Sequence, residues 1–162
     1  MTDKGPPGVF RIRLAPREFG RVDGPACLGS DVVAAMQHVI ALHPLAGWWI
    51  ASVEPASAEW PDTFASADPI ALGAAADATT RIARTPRFQW AALAAVPSVG
   101  ETLRIPGGLL FADAPEAFPL GNAIAYVRAF DGAFVEVITA DVDLVKRLAR
   151  DYGTGCAARA QY

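Results

Sequence analysis

The residues able to do acid-base or metal chemistry are few, and their spacing limits what they can do. His38 and His43 are the two histidines. Five positions apart on one helix, they would point about 140° away from each other at roughly 100° per residue. They do not form a facing metal pair. His38 lies off the apolar stripe of its segment and is expected at the surface, while His43, next to Pro44, suits the terminal carbonyls of a helix. Glu136 is the one charged residue in the run AFVEVITA (133–140). It reads as an ion-paired or edge carboxylate, with a functional acid as the alternative. Glu54, Glu59, Asp62, Asp68, Asp113 and Glu116 fall around loops and would form an acidic rim, a pattern of solvated charge without metal-ligand spacing. No metal site and no cofactor is expected.

Nucleophile and nucleotide motifs are missing too. There is no G-x-S-x-G, H-E-x-x-H or P-loop. The string from Gly153 to Ala158 matches G-x-G-x-x-A, but it follows a helical pattern instead of a strand and only four residues remain after it. Gly153 is therefore read as a helix cap. Cys27 and Cys156 have no ligand spacing between them and are expected as free thiols in a cytoplasmic protein.

The best recognition candidates are aromatic. Trp60 lies in a long loop rich in Pro, Ser and Ala (54–67), beside Glu59 and Asp62. Exposed tryptophan is enriched at interaction hot spots, so Trp60 is the expected anchor, with Glu59 and Asp62 around it. Trp48 and Trp49 are adjacent in a strand and must face opposite ways, which makes Trp49 a further binding candidate.

These residues need elements to position them, and the 162-residue chain suits one α+β domain spanning 1–162, with residues 1–8 and 154–162 as flexible tails. Val9 to Leu14 alternates, with Arg11 and Arg13 on a wet face, and predicts a strand at or near a sheet edge. A helix from Ser30 or Asp31 to before Pro44 has the stripe Val32, Val33, Met36, Val39 and Ile40. A strand follows at Trp48–Val53. Asp68-Pro69 predicts the start of a second helix reaching about Arg84, with Leu72, Ala76, Thr79 and Ile82 or Ala83 facing inward. Strands are then expected over 88–96, 102–105 and 109–111.

Residues 123–153 give the clearest local pattern: two apolar runs around Asp131-Gly132, then a helix with Asp141 as cap and Gly153 as stop. A two-residue turn would pair Phe130 with Ala133 and Arg128 with Val135, placing Arg128 and Glu136 on opposite sheet faces. The implied fold is a mixed, largely antiparallel sheet with about three helices, ending in a β-hairpin and a C-terminal helix.

Charge and hydropathy narrow the partners. A net charge of −3 and a pI near 5.3 argue against general nucleic-acid binding, which needs a basic face. Two arginine groups, Arg11, Arg13, Arg17 and Arg21, and Arg81, Arg84 and Arg87, read as solvated faces. Residues 32–53 contain no Asp, Glu, Lys or Arg. Their interruption at His43-Pro44 and Gly47 predicts a buried helix and a buried strand, not a membrane span.

A helix running into HPLAGWW (43–49), with a later F-x-W at Phe88–Trp90, resembles small bacterial immunity proteins that neutralise polymorphic toxins. The resemblance covers about the first half of the chain and transfers no individual residue role. It implies a non-catalytic protein-binding domain whose partner is a toxin. The alternative is a small-ligand-binding domain or small enzyme using Glu136 or the loop carboxylates.

Overall fold

The structure is a computed structural model that describes residues 8–21, 27–54, 69–104, 120–130, 133–153 and 157–159. Its strands are β1 (Phe10–Leu14), β2 (Gly47–Glu54), β3 (Ile70–Gly73), β4 (Trp90–Val96), β5 (Ala125–Phe130), β6 (Phe134–Thr139) and β7 (Ala157–Arg159). The helices are α1 (Gly29–Leu42), α2 (Ala75–Ala83) and α3 (Val142–Tyr152), with a short 3-10 turn at Pro16–Phe19. The strands form one sheet in the order β3-β2-β4-β5-β6-β1-β7, and every described pairing is antiparallel. The α+β class, the three helices and the ending of hairpin then helix are as the sequence implies. None of the described helices is long and apolar enough to cross a membrane.

All three helices lie on one face. α1 runs over β5 and β6 between α2 and α3, α2 covers β2 and β3, and α3 covers β1 and β6. The strand alternation sends Ile12, Leu14, Trp48, Leu93, Val127, Val135 and Val137 into this layer, against Val32, Met36, Val39, Ile82, Leu144 and Leu148. Small residues at Ala91, Ala95, Ala125 and Ala129 belong to the same buried cluster and give α1 room to approach the central strands. The opposite face carries a second cluster of Ala51, Ala94, Val96, Leu103, Ala123, Tyr126 and Ile138. Trp48 and Trp49 do point apart, Trp48 under the helices and Trp49 half-buried on the second face.

Local signals explain the best-defined elements. Asp141 Oδ1 accepts from the N–H of Asp143 (2.9 Å) and Leu144 (3.3 Å), capping α3. Gly153 ends the helix at φ +92°. At α1 the cap differs from expectation: Leu28 is the cap position, and the buried Asp31 accepts from its N–H at 3.1 Å while pairing with Arg21.

Several expectations are corrected. The helix expected over 68–84 is a strand followed by a shorter helix. Ile70–Gly73 pairs with the outer side of β2, where its backbone groups complete a sheet edge, and Gly73 at φ +87° turns the chain into α2. Ala78 and Ile82 are the buried residues of α2, whereas Ala76 is exposed and Thr79 bonds back to Ala75 O (2.9 Å). Residues 102–104 are not a strand. Asn122 takes their hydrogen bonds instead, Oδ1 accepting from Arg104 N–H (2.7 Å) and Nδ2 donating to Thr102 O (2.9 Å). The predicted strand at 109–111 lies outside the described residues. Ala157–Arg159, read from the sequence as tail, pairs with β1, so β1 is one strand in from the edge.

The hairpin register also differs. Phe130 pairs with Phe134, and Ala133 N–H donates to Phe130 O (2.9 Å), so three residues connect the strands. This one-residue shift exchanges faces along a whole strand. It puts Arg128 opposite Glu136 and leaves the helix side of β5 and β6 with Ala125, Val127, Ala129, Val135, Val137 and Thr139. In the expected register each charge would have been buried without the other, which is strongly unfavourable.

The α1 N-terminus sits against the end of α2. A Cβ on Gly29 would come 2.1 Å from Thr85 O and 2.6 Å from Ile82 O, both backbone atoms unable to swing away. Gly29→Ala is expected to destabilise the fold by about 3 kcal/mol, at the upper end for overpacking, as measured by urea unfolding.

Candidate functional site

The sheet face away from the helices holds the densest charge cluster described. Arg13, Glu136 and Arg128 stand side by side on β1, β6 and β5, because the register pairs Arg13 with Glu136 and Glu136 with Arg128. Glu136 Oε1 lies 3.0 Å from Arg11 Nε and 3.3 Å from Arg13 Nε, and Oε2 lies 3.1 Å from Arg128 Nη2. The carboxylate is 1% exposed, Arg11 and Arg128 are largely buried, and Arg13 is 56% exposed. Beside it runs an aromatic row. Trp90 meets Phe130 edge-on at 4.6 Å, and Phe130 stacks on Phe134 at 5.0 Å. Arg13 lies over Phe134 (4.6 Å) and Arg128 over Phe130 (5.5 Å), both within cation-π range.

This arrangement holds structure more readily than it moves protons. Both oxygens of Glu136 face guanidinium groups, and the histidines belong to helix α1 and its end, in the layer on the other side of the sheet. A general base needs free access to the proton it takes, and Glu136 has none.

A second cluster joins α1 to α3. His38 Nε2 lies 2.9 Å from Tyr152 Oη, Arg147 Nε donates to His38 Nδ1 at 3.3 Å, and Asp151 Oδ2 is 3.4 Å from the same nitrogen. His38 is therefore only 13% exposed, correcting the surface position expected for it. Burial holds its pKa below the ordinary value; the Asp151 carboxylate opposes that, and Arg147 and Arg150 add to it.

The third feature is the end of the sheet where α1 stops and α3 starts. His43 Nε2 and Asp141 Oδ2 are 2.6 Å apart, so His43 meets the α3 cap and not the α1 carbonyls expected for it. Burial raises the Asp141 pKa, but the His43 contact and the Leu144 and Asp143 amides outweigh it and hold the carboxyl below its usual value. Gly47 packs against Ser98 and Val99, bringing the turn after β4 to the same place. The exposed large apolar residues among those described are Leu42, Leu45, Val99 and Val142, and all four belong to this end. Leu45 is 78% exposed.

Of the binding residues expected from sequence, Trp60, Glu59 and Asp62 lie outside the described residues. Trp49 is described and has a holding role: its Nε1 donates to Glu101 O at 3.1 Å, tying the β4 turn to β2. Among the loop carboxylates, Asp68, Asp113 and Glu116 also lie outside. Among the described residues no group of three or more His, Cys, Asp or Glu could hold a metal ion. The solvated face expected for Arg11 and Arg21 is corrected, since they pair with Glu136 and Asp31. The available signal was the alternation placing Arg11 and Arg13 on one face of β1, together with a lone glutamate in an apolar strand.

Two outcomes are expected. Glu136→Gln leaves three guanidinium groups around a neutral amide, which should destabilise the fold by about 3 kcal/mol or more, measured by thermal unfolding. His38 protonates less readily folded than unfolded, so its contribution is present above its unfolded pKa near 6.5 and is lost as pH falls through that region. Melting temperature should therefore drop between about pH 7 and pH 5, and His38→Asn should flatten that slope.

Compared with protein-family models, with curated proteins and with solved structures, the chain has no match in any of the three.

Proposed function

We propose that this chain is a non-catalytic protein-binding domain whose docking surface is the end of the sheet bearing Leu42, Leu45, Val99 and Val142. The observation behind this reading is the gathering of these exposed apolar residues at one end, from three separate segments of chain. Strand ends about 4.8 Å apart make the surface, from β2 across to β6, roughly 15 Å wide. Exposed apolar residues that cluster and are rimmed by polar groups mark interaction sites, whereas scattered ones are ordinary.

The narrower reading is an immunity protein that binds and neutralises a partner toxin. It draws on the resemblance at HPLAGWW (43–49), the turn between α1 and β2 in which Leu45 is the most exposed apolar side chain. Its Pro44 and Leu45 present the surface, and Trp48 anchors it in the core.

A second reading, a small-ligand site on the Glu136 face, has one observation in its favour: Arg13 is half-exposed above the Phe134 ring. The burial of Glu136 itself weighs against it.

The test is affinity purification from the native organism, followed by a binding titration with the partner recovered. Leu45→Asp should weaken that complex by about tenfold or more, the size of a hot-spot loss. Its effect on stability should stay within about 0.5 kcal/mol, because the side chain is exposed. Unchanged affinity removes the surface from consideration. For the narrower reading, co-expression with a toxin encoded beside this chain should restore growth with the native sequence and not with Leu45→Asp.

A further inference from the structure

Resting on the reading of this sheet end as the docking surface, we infer the chemistry of what it takes: a basic protein segment with apolar side chains at its centre. Residues 41–47, 97–103 and 139–145 contain Glu101, Asp141 and Asp143 but no Lys or Arg. The first basic residues beyond them are Arg104 and Lys146. Asp143 is exposed beside Val142. Asp141 is held by His43 and the α3 amides, and Glu101 Oε1 accepts from Asn122 Nδ2 at 3.0 Å. These contacts fix the two carboxyls in place at the rim. An apolar centre with an acidic rim is complemented by apolar side chains flanked by lysine or arginine, and the chain's overall charge of −3 favours the same approach at longer range.

The same charges disfavour other occupants. A second copy docking through a two-fold axis would bring two surfaces carrying the same acidic residues together, with no Lys or Arg from these segments to offset them. An anionic lipid surface or a nucleic acid would meet the same repulsion. The surface is also built before any partner arrives. His43 N–H donates to Val39 O (2.8 Å), Ala46 N–H donates to His43 O (3.1 Å), and Gly47 leaves no space for a Cβ against Ser98 O. Little ordering of the turn is then needed on binding, which favours affinity.

The probes are two short amphipathic helical peptides with identical leucine positions, one carrying lysine and the other glutamate at the polar positions. They are titrated against the full chain and followed by backbone amide NMR. The lysine peptide should bind with shifts concentrated in residues 41–47, 97–103 and 141–143, at least about tenfold more tightly than the glutamate peptide. Asp143→Asn should weaken it by about threefold, the scale of an exposed ion pair, and Leu45→Ser should weaken it further. Both variants replace exposed side chains.

Equal binding of the two peptides at these residues overturns the basic partner and leaves the docking surface standing. Lysine-peptide shifts that fall elsewhere, or that ignore Leu45→Ser, overturn both. Self-association through these residues, seen as concentration-dependent shifts without peptide, assigns the surface to a second copy and overturns the inference.

Discussion

One buried carboxylate sets the alignment of three strands. Glu136 reaches Arg128 on β5 to one side, and Arg11 and Arg13 on β1 to the other. Its burial makes any register that separates it from those guanidinium groups expensive, since an unpaired buried charge is among the largest single penalties a fold can carry. Coulomb attraction of this kind adds little net stability over apolar packing, and its effect here is selectivity. Slipping β6 by one residue against β5 would move Glu136 to the helix side, where Met36, Leu144 and Leu148 offer it no partner.

That constraint divides the sheet into two unlike faces. The helix side is almost wholly apolar and relies on small residues in β4 and β5 to let α1 approach. The other side mixes an ion cluster, an aromatic row and a smaller apolar cluster that includes Tyr126, whose hydroxyl burial pushes up to about 12. With both faces occupied by packing, the open chemistry of the described residues moves to the strand ends. There the chain must change direction, and side chains such as Leu45 stand clear of either layer.

What could be read from sequence followed the range of the interactions involved. α3 was legible from its cap and stop, Asp141 and Gly153, which lie close in sequence, although Leu144 is buried there and Val142 exposed, and α1 was nearly so. β3 was not, since a four-residue edge strand exists only by pairing with β2, and its local pattern continued into a helix. The arginine cluster failed for the same reason: Arg13 and Glu136 are 123 positions apart, and no spacing rule connects them. The hairpin was legible as a hairpin, but Asp131-Gly132 pointed to a two-residue loop where the Arg128–Glu136 and Phe130–Phe134 pairs require three. For the site, Trp49 proved to hold a turn, and the exposed end was hidden because the segments bearing Leu42 and Leu45, Val99 and Val142 come to one end of the sheet only on folding.

The pairing of β1 between β6 and β7 has a consequence for biosynthesis. β1 is synthesised well before either neighbour, Glu136 on β6 lying 123 positions after Arg13, so it waits through the synthesis of that stretch without the partners it has in the fold. During that wait FRIRL is an apolar strand seeking an edge. Arg11 and Arg13, which later clasp Glu136, place two like charges in it and so discourage the strands of neighbouring nascent chains from pairing with it.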